Sequence, residues 1–144
     1  MASATFTNVP RFLAKGDLDW DTMTCKVLLV TSQLSEANID AFDYRADITN
    51  EVANGNGYAT GGIAQAYTLD ALNTTSNAQT ITYTNITNGW TAATFSAAGA
   101  IIYKDTGNAA TDILLHYVEF ATALAPSNGS ASITYSNSFS IARA

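Results

Sequence analysis

Charge is what this sequence has least of. Only 12% of its residues are Asp, Glu, Lys or Arg, about half the usual share for a soluble domain. Six bases face twelve acids, for a formal net charge of −6. A surface built to grip phosphates is rich in Lys and Arg, so nucleic acid is not expected as a partner. Cysteine is almost absent: Cys25 stands alone, cannot close an internal disulfide, and rules out a stapled secreted framework. No apolar run approaches the roughly 20 residues that span a bilayer, and no membrane partner is expected. The N-terminal MASATFTNVPRF has no basic segment followed by an apolar core, so no signal peptide is expected either. That implies synthesis in the cytosol, with any export as part of an assembly. The glycine-rich stretch 54–62, NGNGYATGG, lacks both the Gly-Lys-Ser/Thr ending of a phosphate loop and a dinucleotide GxGxxG. Its glycines read as turns.

What is present is β pattern. The 144 residues suit one domain spanning 1–144, and a chain of that size can bury roughly 68–70% of its unfolded surface without a staple or a metal. With so few charges, Thr, Asn, Ser, Gly and Ala must cover the outside, as on proteins that end up packed against neighbours. The organising stretch is 98–121, AAGAIIYKDTGNAATDILLHYVEF. Two apolar runs flank a polar loop at 104–111 whose Asp105, Gly107 and Asn108 are turn formers, which predicts a hairpin. Both faces of the second run are largely apolar, so that strand is expected to be covered on both sides or central in its sheet. Residues 25–32 form a second apolar strand. Further strands are expected at 63–72, 78–86, 91–96, 98–104, 112–122 and 131–142, with a short one near Tyr58. Turns fall at 73–77, 87–89 and 126–129. Alternation such as Thr80, Thr82, Thr84 against Ile81, Tyr83, Asn85 marks half-buried antiparallel strands. About eight strands result, and the expected fold is mainly β: an antiparallel β-sandwich, jelly-roll-like, with one or two short helices near the N-terminus. The first helix is expected at 8–16, capped by Asn8, with Pro10 in its first turn and Gly16 at its end. The second is expected within 35–46, capped by Ser35 or Asn38. Residues 1–8 read as a mobile arm, or an arm ordered only on a partner.

The candidates for chemistry are few. Asp17, Asp19 and Asp21 alternate like the start of a calcium loop, but the glycine and glutamate positions of that loop hold Thr22 and Leu28. A polar segment lifting Leu18 and Trp20 toward the core fits better. Cys25 reads as a small buried apolar residue. His116 has no ligand companions, and Glu119, three residues on, falls on the opposite face of the strand. No Ser/His/Asp order and no GxSxG elbow is present. Only Asp70, Asp105, Asp112 and Glu119 lie in the β-rich half, while eight of the twelve acids fall between Asp17 and Glu51 as a solvated acidic face. No enzyme activity, cofactor or metal is expected. Three Asn-x-Thr/Ser triplets, at Asn73, Asn85 and Asn128, read as a by-product of Asn/Thr-rich turns. Trp20, Trp90 and the tyrosines leave open a carbohydrate-stacking face, with Trp90, beside the Asn88-Gly89 turn, the better exposed candidate.

Several blocks taken in order resemble a family of small structural proteins of tailed bacteriophages. They are FLAKG from Phe12, KVLLVTS from Lys26, DITNEVANGNGYATGG over 47–62, and YKDTGNAAT over 103–111 running into an apolar strand. The resemblance covers about 12–120, and its motifs are structural. It implies a non-enzymatic virion component, a capsid decoration (cement) protein on the outside of the major capsid shell, made in the host cytoplasm. A neck, tail or fibre-associated role with a carbohydrate-binding sandwich is the alternative. The implied partners are the major capsid protein and neighbouring copies of the chain, as in a homotrimer at a local three-fold axis. The residues expected to bind partners are Phe6, Pro10, Arg11 and Trp90, with the arm around Phe6 and exposed strand edges clamping neighbouring subunits. On that view, deleting residues 2–9 weakens shell binding and leaves folding intact.

Overall fold

The computed structural model describes residues 3–75, 78–136 and 139–142. In chain order the elements are β1 (Ala4–Thr5), α1 (Val9–Lys15), β2 (Cys25–Val30), α2 (Glu36–Ala41), a 3₁₀ turn (Arg45–Asp47), β3 (Ile63–Gln65), β4 (Tyr67–Leu69), β5 (Ala78–Tyr83), β6 (Ile86–Ala93), β7 (Ala97–Lys104), β8 (Ile113–Leu124), β9 (Gly129–Ile133) and β10 (Phe139–Ala142). They build a β-sandwich whose strand pairs are antiparallel. One layer is a five-stranded sheet in the order β1-β8-β7-β2-β3; a three-stranded sheet, β10-β5-β4, and a ribbon, β6-β9, form the rest.

The predicted hairpin is β7 and β8, and it lies at the centre. Leu28, Ile101 and Tyr117 are cross-strand partners, so their side chains share one face. Over that face lie the helical segments and the long connection that follows them. The Leu34 N–H donates to the Tyr117 hydroxyl (3.2 Å), and the Tyr103 hydroxyl donates to the Gly61 carbonyl (2.7 Å). Val27, Ile102 and His116 are likewise partners and face the small sheets, where His116 stacks on Phe139 with ring centroids 3.8 Å apart. Both faces of β8 are therefore covered over 113–117, all of it buried, as the two apolar sets in the sequence imply.

The helices form where capping chemistry allows them. Ser35 and Asn38 make a reciprocal capping box at α2, and Gly16 closes α1 in the left-handed conformation. Asn8 occupies the expected cap position, but its side-chain amide donates instead to the carbonyls of Phe42 and Asp43 (3.2 and 3.1 Å). It ties α1 to the segment after α2. The long connection to β3 is pinned at Gly62, which has φ +70° and whose missing Cβ would lie 1.8 Å from the Val27 carbonyl oxygen.

Several expectations are corrected. Residues 3–8 are not a free arm: β1 pairs with His116 and Tyr117, the Phe6 N–H donates to the Leu115 carbonyl (3.0 Å), and Phe6 and Val9 are fully buried. Burial of Phe6 and Val9 together with the main-chain bonds to β8 offsets the freedom that the short segment loses. The strand expected at 63–72 is interrupted at Ala66, whose carbonyl accepts from the side chain of Gln65 and the backbone of Thr84. The turn expected at 87–89 lies inside β6, which absorbs it as a register shift with Asn88 at φ 51°. The strand expected at 131–142 is two strands, with its residues 137 and 138, like Ser76 and Asn77 of the 73–77 turn, outside the described residues. The second helix ends at Ala41, and near Tyr58 there is one bridge, to Gly55, rather than a strand. Among the described residues, no helix is long and apolar enough to cross a membrane.

Candidate functional site

The four residues expected to bind partners do not form one patch. Pro10 and Arg11 lie outside, on α1, and Arg11 is ion-paired with Asp43 (2.5 Å). Phe6 and Trp90 are inside the core, 0% and 2% exposed. The exposure expected of Trp90 is therefore corrected. Its ring points inward from β6 opposite Ala131, stacks beside Tyr58 and meets the edge of Phe95. A small residue across the ribbon leaves room for the indole, and burying so large a ring is strongly favourable.

The groups with chemical potential are spent on the fold. Asp19 uses both carboxylate oxygens on its own turn, accepting from Asp21 N–H and the Thr22 hydroxyl, and those bonds lower its pKa. Cys25 is buried, which pushes its thiol up to about 12, far from the thiolate a nucleophile needs. Asp112 is wholly buried. It accepts from Arg45 Nε (2.8 Å), the Thr106 N–H (2.7 Å) and the Thr106 hydroxyl (2.8 Å). Burial alone would raise its pKa, but the bonds from Arg45 and Thr106 outweigh it and the pKa is lowered. This ion pair fastens the 105–112 loop to the 3₁₀ turn. His116, 1% exposed, lies 2.5 Å by Nδ1 from the Tyr83 hydroxyl. Burial holds that hydroxyl in its neutral form, and the two groups share one short hydrogen bond. Burial also drives the imidazole pKa down to about 3. Among the described residues, no three His, Cys, Asp or Glu gather as a metal cluster.

The feature with the clearest bearing on partners is a division of charge. No Asp, Glu, Lys or Arg occurs between Asp70 and Lys104, nor between Glu119 and Arg143. In the fold these two runs supply β5, β6, β9 and β10, and β4 is uncharged as well. No strand of either small sheet carries a charged residue, though the exposed carboxylate of Asp70, just after β4, lies beside them and accepts from the Thr82 hydroxyl (2.8 Å). The sheets' outward positions carry hydroxyls. Thr68 faces Thr82 and Thr80 faces Ser140 across strands, and Thr87, Thr91, Ser130 and Ser132 stand exposed on the ribbon. Leu72, 63% exposed, is the one large apolar side chain that stands out among the described residues, and it sits in the same charge-free run. Acids concentrate instead in the segment 17–51 on the other layer. The two uncharged runs are visible in the sequence; what they mean emerges only when the topology brings them together.

Beside this uncharged side runs a groove of about 350 Å³ between β8 and the β9–β10 segment, lined by residues 118–124, 132–136, Phe139 and Ser3. A second hollow, of about 510 Å³, lies by Trp20, Met23, Gln65 and Tyr67. Gln65 there is engaged with Ala66, Thr84 and Tyr135, and the Tyr67 hydroxyl with the carbonyls of Trp20 and Met23, whereas the buried Trp20 indole N–H has no hydrogen-bond partner among the described residues. No family model matches this chain, and neither the curated proteins nor the solved structures yield a match.

Proposed function

We propose that this chain is a non-enzymatic structural component of a tailed-bacteriophage virion, acting as a capsid decoration (cement) protein on the outside of the major capsid shell. The observation that carries the reading is the division of charge: an uncharged, hydroxyl-rich pair of small sheets backed by an acidic layer. Docking through a surface with so little charge largely avoids the cost of stripping water from ions that end up unpaired. The acidic layer then faces outward and keeps the decorated particle soluble. The resemblance of blocks spread over about 12–120 to phage structural proteins supplies the class of particle.

The test is co-sedimentation of the purified chain with undecorated shells of its own phage. Saturable binding at a fixed ratio to the major capsid protein is expected, and Leu72→Asp on the uncharged side should weaken it while Arg11→Glu on α1 does not. Presence in whole virions without shell binding would instead favour the neck, tail or a glycan-binding fibre.

A further inference from the structure

At Ala66 the chain leaves the large sheet, where β3 is an edge strand, and enters the three-stranded sheet, where β4 is an edge strand. The second hollow lies at this corner, between residues 20–25 and 64–69. The large apolar side chains around it, Trp20, Met23, Tyr67 and Leu69, are only half-buried.

The main chain along the hollow is unused. The Asp70 N–H donates to the Thr80 carbonyl (3.0 Å) and the Thr84 N–H to the Ala66 carbonyl (2.9 Å). Residues in an antiparallel pair alternate between facing the partner strand and facing away. Thr68 therefore also bonds to β5, while Tyr67 and Leu69 turn their N–H and C=O groups outward. Among the described residues no strand lies on that side of β4, and β10, where the described chain ends, lies on the far side of β5. Tyr67 and Leu69 line the hollow and Thr68 does not. An extended segment laid there would gain roughly four main-chain hydrogen bonds and an apolar wall.

Charge selects the occupant. Asp21 is the one charged side chain lining the hollow. Burial, Cys25 and the Asp19 and Asp21 carboxylates all raise the Tyr67 hydroxyl's pKa, which places both carboxylates near that ring. Asp70 follows Leu69 at the end of the edge and is exposed. The lysines on this side are engaged: Lys26, the cross-strand partner of Ala64, is ion-paired with Asp105 (3.0 Å), and Lys104 donates to the Asp17 carbonyl. Acids at an edge turn away other copies of a chain whose net charge is −6 and attract a basic segment. We infer that the hollow and the β4 edge together receive an extended basic segment of a partner protein, which adds as a strand to β4 and seats a lysine or arginine side chain against Trp20, Tyr67 and Asp21. An aromatic wall with a carboxylate beside it suits such a cation, whose alkyl stem is apolar and whose head is charged. The site needs only the isolated chain, so its test stands apart from shell binding.

Titration of the purified chain with the peptide Ac-Thr-Arg-Val-Arg-Thr-NH2, followed by tryptophan fluorescence, tests it. Trp20 is the responsive reporter, since Trp90 is 2% exposed. Saturable binding is expected, weakening by at least about threefold between roughly 50 and 500 mM chloride, with amide exchange slowing at Tyr67 and Leu69. Asp21→Lys should weaken binding by at least about fivefold. Glu36→Lys, the same change of charge at an exposed position on α2, should change it by less than about twofold. Thermal melts of both variants confirm that they remain folded. Absence of saturable binding overturns the inference. So does equal binding of Ac-Thr-Glu-Val-Glu-Thr-NH2, equal weakening by both variants, or binding that leaves exchange at Tyr67 and Leu69 unchanged.

Discussion

The imidazole of His116 is held among Tyr83, Phe139 and Trp20 with 1% exposure, and among the described residues no carboxylate partners it there. Protonation would put an unpaired charge into an aromatic pocket, which is why its pKa falls to about 3 from 6.5. The sign of the consequence follows from linkage. As pH falls through 6.5 the unfolded chain takes up the proton and the folded chain does not. Stability therefore drops between pH 6.5 and about 3, by at most about 1.4 kcal/mol per pH unit for one proton. Urea unfolding at a series of pH values should show that slope, and His116→Phe should flatten it; an unchanged slope in the variant would mean that other groups carry it. Gly62 is the other residue whose identity is forced. Its φ of +70° and the 1.8 Å separation that any Cβ there would have from the Val27 carbonyl oxygen leave a side chain no place beside β2. Gly62→Ala should cost at least about 3 kcal/mol, read from the urea midpoint, whereas Gly107→Ala, with nothing within 4 Å of its Cβ, should cost less.

At the scale of elements, the N-terminal segment is a structural strut. Phe6 fills the core beside β8, so Phe6→Ala should destabilise the chain by about 3–5 kcal/mol, and removing residues 2–9 should impair folding. A truncated chain that melts like the full one would restore the free arm that the sequence suggested. The hairpin loop depends similarly on the Arg45–Asp112 pair. Removing one partner of a buried pair strands the other, and Asp112→Ala should cost about 3 kcal/mol by the same urea measurement. These two cases show what the sequence could and could not disclose. Strands β2, β7 and β8 were legible because apolar alternation is local and their polar loops are unmistakable. The two helices were legible from Ser35, Asn38, Pro10 and Gly16. Burial of Phe6 and Trp90 was not, since it is decided by Leu115, Tyr58 and Ala131, residues distant along the chain. The division of 131–142 into β9 and β10 was hidden for another reason: Ser and Thr alternation suits a continuous strand as well as two that belong to different sheets.

For the whole molecule, the consequential property is that charge and hydroxyl-rich sheet occupy different sides. Each side makes a different prediction about how an assembly responds to salt. A contact made through the acidic segment 17–51 would need cations on the partner and would weaken steeply as salt screens the attraction. A contact made through the small sheets replaces water on hydroxyls, methyls and Leu72 and meets few charges of this chain, Asp70 beside Thr82 among them. Affinity for shells should then change by less than about twofold between roughly 50 and 500 mM salt, beyond which the Debye length is only a few ångströms. Strongly excluded salts such as sulfate should tighten it, as they do other burial of surface. Co-sedimentation titrations at a series of chloride concentrations decide between the two. A steep loss with salt would place the acidic layer against the shell and reverse the orientation proposed here. A flat response, together with weaker binding of Leu72→Asp, would leave the acids facing solvent, where mutual repulsion keeps decorated particles apart.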